Sequence, residues 1–162
     1  MDSLKHQVIA EVIKVTQSML ETAERSREDA IEESKHHKGA MESRYDTFKE
    51  EAQYLMVAQD IRIAELNSTI SVLTSQLSRL DVTCIRAGAF ALVGLEDELG
   101  EQTLYFILPT GGGVTCAVND RKVITLNEAS PLAQAIKGMA QDEEAELSVG
   151  GKKKTFSIVS IS

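Results

Sequence analysis

The residues best equipped for chemistry cluster in one short stretch, KHHKGAMESR, from Lys35 to Arg44. It holds His36 and His37, with Glu33 just upstream and the carboxylates of Glu42 and Asp46 on its far side. Imidazoles beside a carboxylate are raw material for a metal site. Neighbouring positions of a helix, however, point about 100° apart, so two adjacent imidazoles do not converge on one ion. They read as exposed, titrating side chains. Nucleophilic catalysis fares no better, because all three histidines lie on the helical first part of the chain, away from any Ser-Asp or Cys partner set. The run Gly111-Gly112-Gly113 lacks the GK[ST] or GxGxxG context of a phosphate-binding loop and reads as a flexible hairpin loop. Cys84 and Cys116 fall in separate apolar, strand-like segments and read as buried free thiols of a reducing compartment.

Charge narrows the classes further. The 162 residues carry a formal net charge of −8, and it is shared evenly: residues 1–80 hold 10 Lys/Arg and 14 Asp/Glu, residues 81–162 hold 7 and 11. Binding to nucleic acid rests on Lys and Arg neutralising phosphates and releasing counterions. Two acidic halves therefore argue against direct, specific DNA or RNA binding and for a protein partner. No apolar run approaches the roughly 20 residues of a membrane span, and the opening MDSLKHQVIAEVIKV has no secretory-signal pattern. A cytoplasmic location is the expectation.

The elements that must hold the Lys35–Arg44 stretch are helices. Residues 1–80 contain no Pro and one Gly, Gly39. Leu4, Val8, Val12, Val15 and Met19 follow a 4-4-3-4 spacing; Tyr45, Phe48, Ala52 and Leu55 follow 3-4-3; Ile63, Leu66, Ile70, Leu73, Leu77 and Leu80 follow 3-4-3-4-3. A seam of that period is a coiled coil. It is buried either by a second chain along one continuous helix or by folding back at Gly39. The sequence favours the fold-back: SKHHK places positive charge at a helix C-terminus, and glycine suits the position just past it. Folding at Gly39 pairs residues whose numbers sum to about 78, with arms about 50 Å long at 1.5 Å per residue. The distal half, rich in ETAERSREDAIEES, has only Ala23, Ala30, Ile31, Tyr45 and Phe48 for contacts and is the less stable end.

From Asp81 the period changes. FALVGLE, TLYFILP, VTCAV, KVITL, AELSV and KTFSIVSI are short strands separated by EDELGE, TGGG, NDR and VGGKK. One helix interrupts them, with Ser130 as N-cap, Pro131 at its first position and Gly138 as its stop. The fold class is α+β: residues 1–80 form an antiparallel coiled-coil helical hairpin with its tip near 36–44, and residues 81–162 form a small domain with an antiparallel sheet packed on one short helix.

With both parts in place the chain resembles the bacterial Gre transcription elongation factors, the GreA/GreB family. The motif that carries the likeness is SPLAQAIKGMAQDEEAELSVGGKKKTFSIVSI, Ser130 to Ile161, with looser agreement at Gly111–Gly113 and at YDTFKEE on the return of the hairpin. The resemblance implies an FKBP-like topology for the C-terminal domain and bacterial RNA polymerase as partner. Such factors dock the globular domain on the rim of the polymerase's secondary channel and insert the hairpin toward the active centre. Acidic tip residues then help hold a catalytic magnesium, and the polymerase hydrolyses its own backtracked transcript. The docking face implied here is Asn127, Glu128, Ala129, Ser130, Pro131 and Leu132. The implied hairpin tip is Lys35, His36, His37, Lys38, Gly39, Ala40, Met41, Glu42, Ser43 and Arg44.

That tip departs from the family pattern. Anchored on Gly39 and Tyr45, the turn is about two residues shorter, Ala40 replaces the family's Asp, and Lys38 and Arg44 flank it. Magnesium wants oxygen ligands, commonly one or two carboxylates beside substrate phosphates. Only Glu42 is well placed, with Asp46 a turn further on, and two cations nearby disfavour a third. The expectation is a monomeric factor that modulates transcription without efficient cleavage stimulation, is not itself an enzyme, and needs no metal or other cofactor. A cleavage factor with an atypical tip and a dimeric coiled-coil adaptor are the alternatives. Prolyl isomerisation, which the implied topology suggests, lacks its aromatic pocket: the second half has only Phe90, Tyr105, Phe106 and Phe156. Lys152–Lys154 after Gly150-Gly151 reads as a solvated turn, with a polymerase or nucleic-acid contact as the alternative.

Overall fold

The computed structural model describes residues 3–36, 42–79 and 83–162, without the side chains of 34, 36 and 42–46. Helix α1 spans Leu4–His36 and helix α2 spans Glu42–Leu77. Ser3 caps α1: its carbonyl accepts from Gln7 N at 3.1 Å and its hydroxyl from His6 N at 3.3 Å. Val8 and Val12 share a core with Leu73, and further along Arg27 pairs with Asp60, so the two helices run antiparallel. The hairpin expected from the lone glycine is present.

Its register differs from a fold symmetric about residue 39, which would set Arg27 opposite Glu51. Arg27 meets Asp60 instead, a displacement of roughly one to two turns even after allowing for the reach of both side chains. Interdigitation along the seam decides register, and this seam is lined with small groups. On α1 it runs through Val8, Val12, Thr16, Ala23 and Ala30, all buried, with Thr16 rather than Val15 turned fully inward. On α2 it passes through Ala52, Met56, Gln59, Ile63, Leu66, Thr69 and Leu73. Phe48 and Leu55, expected on the seam, stand 45% and 46% exposed, and Leu77 is exposed as well. Thr69 satisfies its buried hydroxyl by donating to the Glu65 carbonyl at 2.9 Å, the usual back-bond of a mid-helix threonine.

The chain divides into two compact units, and the division crosses the helices. One unit is residues 16–71; the other joins residues 1–15 and 72–162. Helix α2 ends at Leu77 and the first strand begins at Leu92, yet the two helix ends pack with the sheet. The reason is apolar: Val8, Ile9, Val12 and Leu73 bury against Leu92, Leu104, Phe106, Leu108, Val118 and Val123, and each fully buried side chain of this size is worth about 1.5–3 kcal/mol.

The sheet contains β1 (Leu92–Glu96), β2 (Gln102–Leu108), β3 (Thr115–Val118), β4 (Arg121–Asn127), β5 (Glu144–Val149) and β6 (Lys152–Ile161), in spatial order β3-β4-β2-β1-β6-β5. Helix α3 (Pro131–Ile136) lies between β4 and β5 in sequence. On the face away from the helix ends, Val93, Leu95, Ile107, Ala145 and Ile158 pack with Ala133 and Ile136 of α3 and with Ala87 and Ala91. Both faces of the sheet are thus covered, which is why β1 and β2 read as near-continuous apolar runs.

Three expectations are corrected here. The sheet is mixed rather than wholly antiparallel, because β2 and β4 pair in parallel, Leu104 with Val123 through Leu108 with Asn127. The chain leaves β2, crosses the end of β4 to lay down the edge strand β3, then returns through the Asn119-Asp120 turn to fill the gap. Gly111–Gly113 therefore forms this crossing and is no hairpin loop. Lys152–Lys154 likewise form the exposed start of β6, paired with Val149, Ser148 and Leu147, rather than a solvated turn. Gly150 and Gly151, both at positive φ, make the tight turn before them.

Candidate functional site

Two places are marked by the sequence, and the structure speaks to one of them in full. Of the tip, residues 37–41 and the side chains of His36, Glu42, Ser43 and Arg44 lie outside the described residues, as does that of Asp46. Lys35 is exposed on the last turn of α1. The reading of Glu42 and Asp46 as a weak metal pair is an expectation from sequence alone.

The Asn127–Leu132 loop is built in detail. The parallel ladder continues one step beyond β4, with Glu128 N donating to Leu108 O at 2.8 Å. Asn127 then works in two directions. Its Oδ1 accepts from Ala129 N at 2.9 Å, closing an Asx turn, while its Nδ2 donates to Gly111 O at 2.9 Å. Ser130 N donates to Asn127 O at 2.9 Å. Ser130, extended at φ −66° and ψ 150°, caps α3 by accepting from Ala133 N at 3.4 Å, and Pro131 opens the helix. Gln134 Nε2 ties the loop from below through Glu128 O at 2.7 Å.

The crossing loop that holds Asn127 is itself pinned. Gly111, Gly112 and Gly113 have φ of 72°, 123° and 78°. A Cβ on Gly112 would stand 2.7 Å from the Asn127 backbone nitrogen and 3.2 Å from the Leu126 carbonyl carbon, whereas one on Gly113 would meet nothing within 4 Å. Beside it the fully buried Thr125 accepts from Val114 N on its hydroxyl at 2.9 Å, and its carbonyl accepts from Gly113 N at 2.8 Å. Sequence reasoning read these glycines as slack. The signal for the opposite was present in three consecutive glycines between two apolar strands, a pattern suited to a chain that must cross another backbone at close range.

What this loop offers a partner is a fixed, exposed trio, Glu128, Ala129 and Pro131, with Leu132 half-buried behind it. One carboxylate, a proline ring and small apolar surface suit protein docking, and a loop whose backbone bonds are already made loses little entropy on binding.

Both cysteines are half-buried rather than fully enclosed, and neither is in a disulfide. Cys84 precedes β1 instead of lying in a strand; Lys5 Nζ donates to its sulfur at 3.5 Å. Burial, and secondarily the Glu11 carboxylate, push the Cys116 thiol above its ordinary 9.0. Tyr105 is raised mainly by burial, with Thr103 opposing and Asp97 adding to the shift. Neither lies in the Asn127–Leu132 loop. Among the described residues no helix is long and apolar enough to cross a membrane.

The sequence matches no family model and no curated protein. Among solved structures, the chain is similar to the GreA factor homolog 1 (Gfh1) of Thermus thermophilus, at 18% identity over 97% of this chain and 94% of that one, with a TM-score of 0.36. It is similar also to Thermus aquaticus Gfh1, at 19% identity, covering 98% and 94%, with a TM-score of 0.37. A third likeness is to the transcription elongation factor GreA/GreB from Nitrosomonas europaea, at 18% identity, covering 57% and 78%, with a TM-score of 0.35.

Proposed function

We propose that the protein is a Gre-like factor that binds bacterial RNA polymerase, docks through Asn127–Leu132, inserts its helical hairpin into the secondary channel and modulates transcription without efficient stimulation of transcript cleavage. The observation that carries this reading is the Asn127–Leu132 loop. Its Glu128, Ala129 and Pro131 are exposed, it is tied through Asn127 and Ser130 and by the Gln134 side chain, and it leads into the Ser130–Ile161 motif at the place the resemblance assigns to docking. The antiparallel pair α1 and α2 supports the second part, since helices of 33 and 36 residues extend about 50 Å.

The absence of cleavage stimulation follows from tip chemistry. Between Lys35 and Arg44 the only carboxylate is Glu42, against Lys35, Lys38 and Arg44. A divalent cation beside substrate phosphates needs carboxylate oxygens, and a cationic tip instead favours charge-assisted hydrogen bonds to phosphates or to acidic side chains of the polymerase centre. Occupying the channel with such a tip changes nucleotide access or pausing rather than supplying a hydrolytic metal. Purified chain added to stalled elongation complexes tests both halves. Binding to polymerase with unchanged transcript length is the expected result; rapid Mg²⁺-dependent shortening of the RNA overturns the tip argument, and no binding overturns the whole reading.

A further inference from the structure

Helix α2 carries a second apolar stripe that its pairing with α1 does not use. Tyr54, Val57 and Ile61 are 77%, 57% and 57% exposed, and their 3-4 spacing continues through Ala64 and Ser68, both exposed. At about 100° per residue the three large side chains fall within about 60° of one another, on the side of the helix opposite the buried Leu66 and Leu73. Three apolar side chains in heptad spacing on an outward face are the contact set of one further helix.

The charges beside the stripe say what kind. Within about a quarter-turn of its centre, every charged residue from 50 to 65 is acidic: Glu50, Glu51, Asp60 and Glu65, all exposed, while the exposed Lys49 lies further round the helix. Asp60 is engaged by Arg27 across the hairpin. Arg62, the one basic residue of that stretch, turns toward α1, where it lines a groove with Ser18, Met19 and Thr22. Among the described residues no ion pair engages Glu50, Glu51 or Glu65, which bracket the apolar stripe at both ends. A second copy of this helix is a poor occupant in either direction. An antiparallel pair centred on Val57 sets Glu65 of one copy opposite Lys49 and beside Glu50 and Glu51 of the other, two carboxylates to one ammonium, and a parallel pair sets each carboxylate beside its twin.

We infer that the Tyr54/Val57/Ile61 face of α2 is a docking surface for a basic amphipathic helix of a partner protein. That helix presents an apolar seam about two turns long and places Lys or Arg near both ends, about 20 Å apart, where they meet Glu50 and Glu65. The surface is small, so the contact is of the transient class or one part of a larger interface. The inference does not depend on the polymerase reading, and its test contains no polymerase.

Two synthetic helical peptides of about 16 residues, sharing a Leu seam and bearing either Lys or Glu at the flanking positions, are titrated into the full chain, with amide chemical shifts as readout. The Lys peptide binds and moves amides between residues 50 and 65; the Glu peptide binds at least about ten-fold more weakly. The double variant V57S/I61S, altered only at exposed positions, loses about ten-fold in affinity for the Lys peptide with unchanged helical circular dichroism. The charge-reversed E50K/E65K reverses the peptide preference. Equal affinity for both peptides, shifts confined to other residues, full affinity in V57S/I61S, or concentration-dependent doubling of mass without peptide each overturns the proposal.

Discussion

Replacing Gly112 by alanine tests whether the Asn127–Leu132 loop, the proposed docking face, is held by the crossing loop beneath it. Two costs act together. At φ 123° an L-residue occupies a conformation that is essentially glycine's alone, at about 1–3 kcal/mol. The new methyl would also stand 2.7 Å from a backbone nitrogen of Asn127, which cannot swing aside as a side-chain end can. The backbone must move, and the Asn127 Nδ2 to Gly111 O bond with it, worth about 0.5–1.5 kcal/mol. The sum is about 3 kcal/mol. Gly113 supplies the control: at φ 78° with open space around its Cβ position, alanine costs only the left-handed conformation, about 1–2 kcal/mol. With a urea slope of about 2 kcal/mol/M, the midpoint of Gly112→Ala falls about 1.5 M and that of Gly113→Ala about 0.5–1 M. Binding to polymerase should weaken at least about ten-fold in Gly112→Ala and little in Gly113→Ala, measured where both remain folded. Equal midpoints for the two variants would refute the steric argument. Equal binding despite unequal midpoints would show that the crossing loop does not position the docking face.

Two other perturbations follow from the same geometry. Ser130→Ala removes the N-cap of α3 and should cost about 1 kcal/mol, a fall of about 2–4 °C in thermal midpoint, with Ser130→Thr recovering most of it. Cys116 titrates higher in the folded chain than in the unfolded one, mainly through burial, so above about pH 9 the unfolded state gives up this proton first and stability falls as pH rises toward the folded value. The loss of urea midpoint on going from about pH 8 to about pH 10.5 should therefore be smaller in Cys116→Ala than in the native chain; identical slopes would remove Cys116 from the account.

Much of this architecture was legible in the chain because its signals are local. Glycine and proline placement, Ser130 with Pro131, and the switch from a period near 3.6 to one near 2 are each decided within a few residues, so the helices, the six strands and the capped α3 could be read directly. The Asn127–Leu132 loop was legible as a turn leading into the capped helix. Its mechanics were not, because the Asn127 bond to Gly111 joins residues 16 apart in sequence.

Distance along the chain separates what the residues alone determined from what only tertiary packing decided. An amphipathic repeat dictates that a helix buries one face, and it dictated that here. Which face, in which register and against what depended on side chains meeting from far away. Thr16 displaced Val15 from the seam, Arg27 met Asp60 rather than residue 51, and the ends of α1 and α2 joined the sheet core through Val8, Val12 and Leu73. The parallel pairing of β2 with β4 arose in the same way, from a three-glycine crossing whose close approach becomes visible only once Asn127 lies beneath it. Close packing is cooperative among distant residues, and no single stretch of sequence contains both sides of the contact.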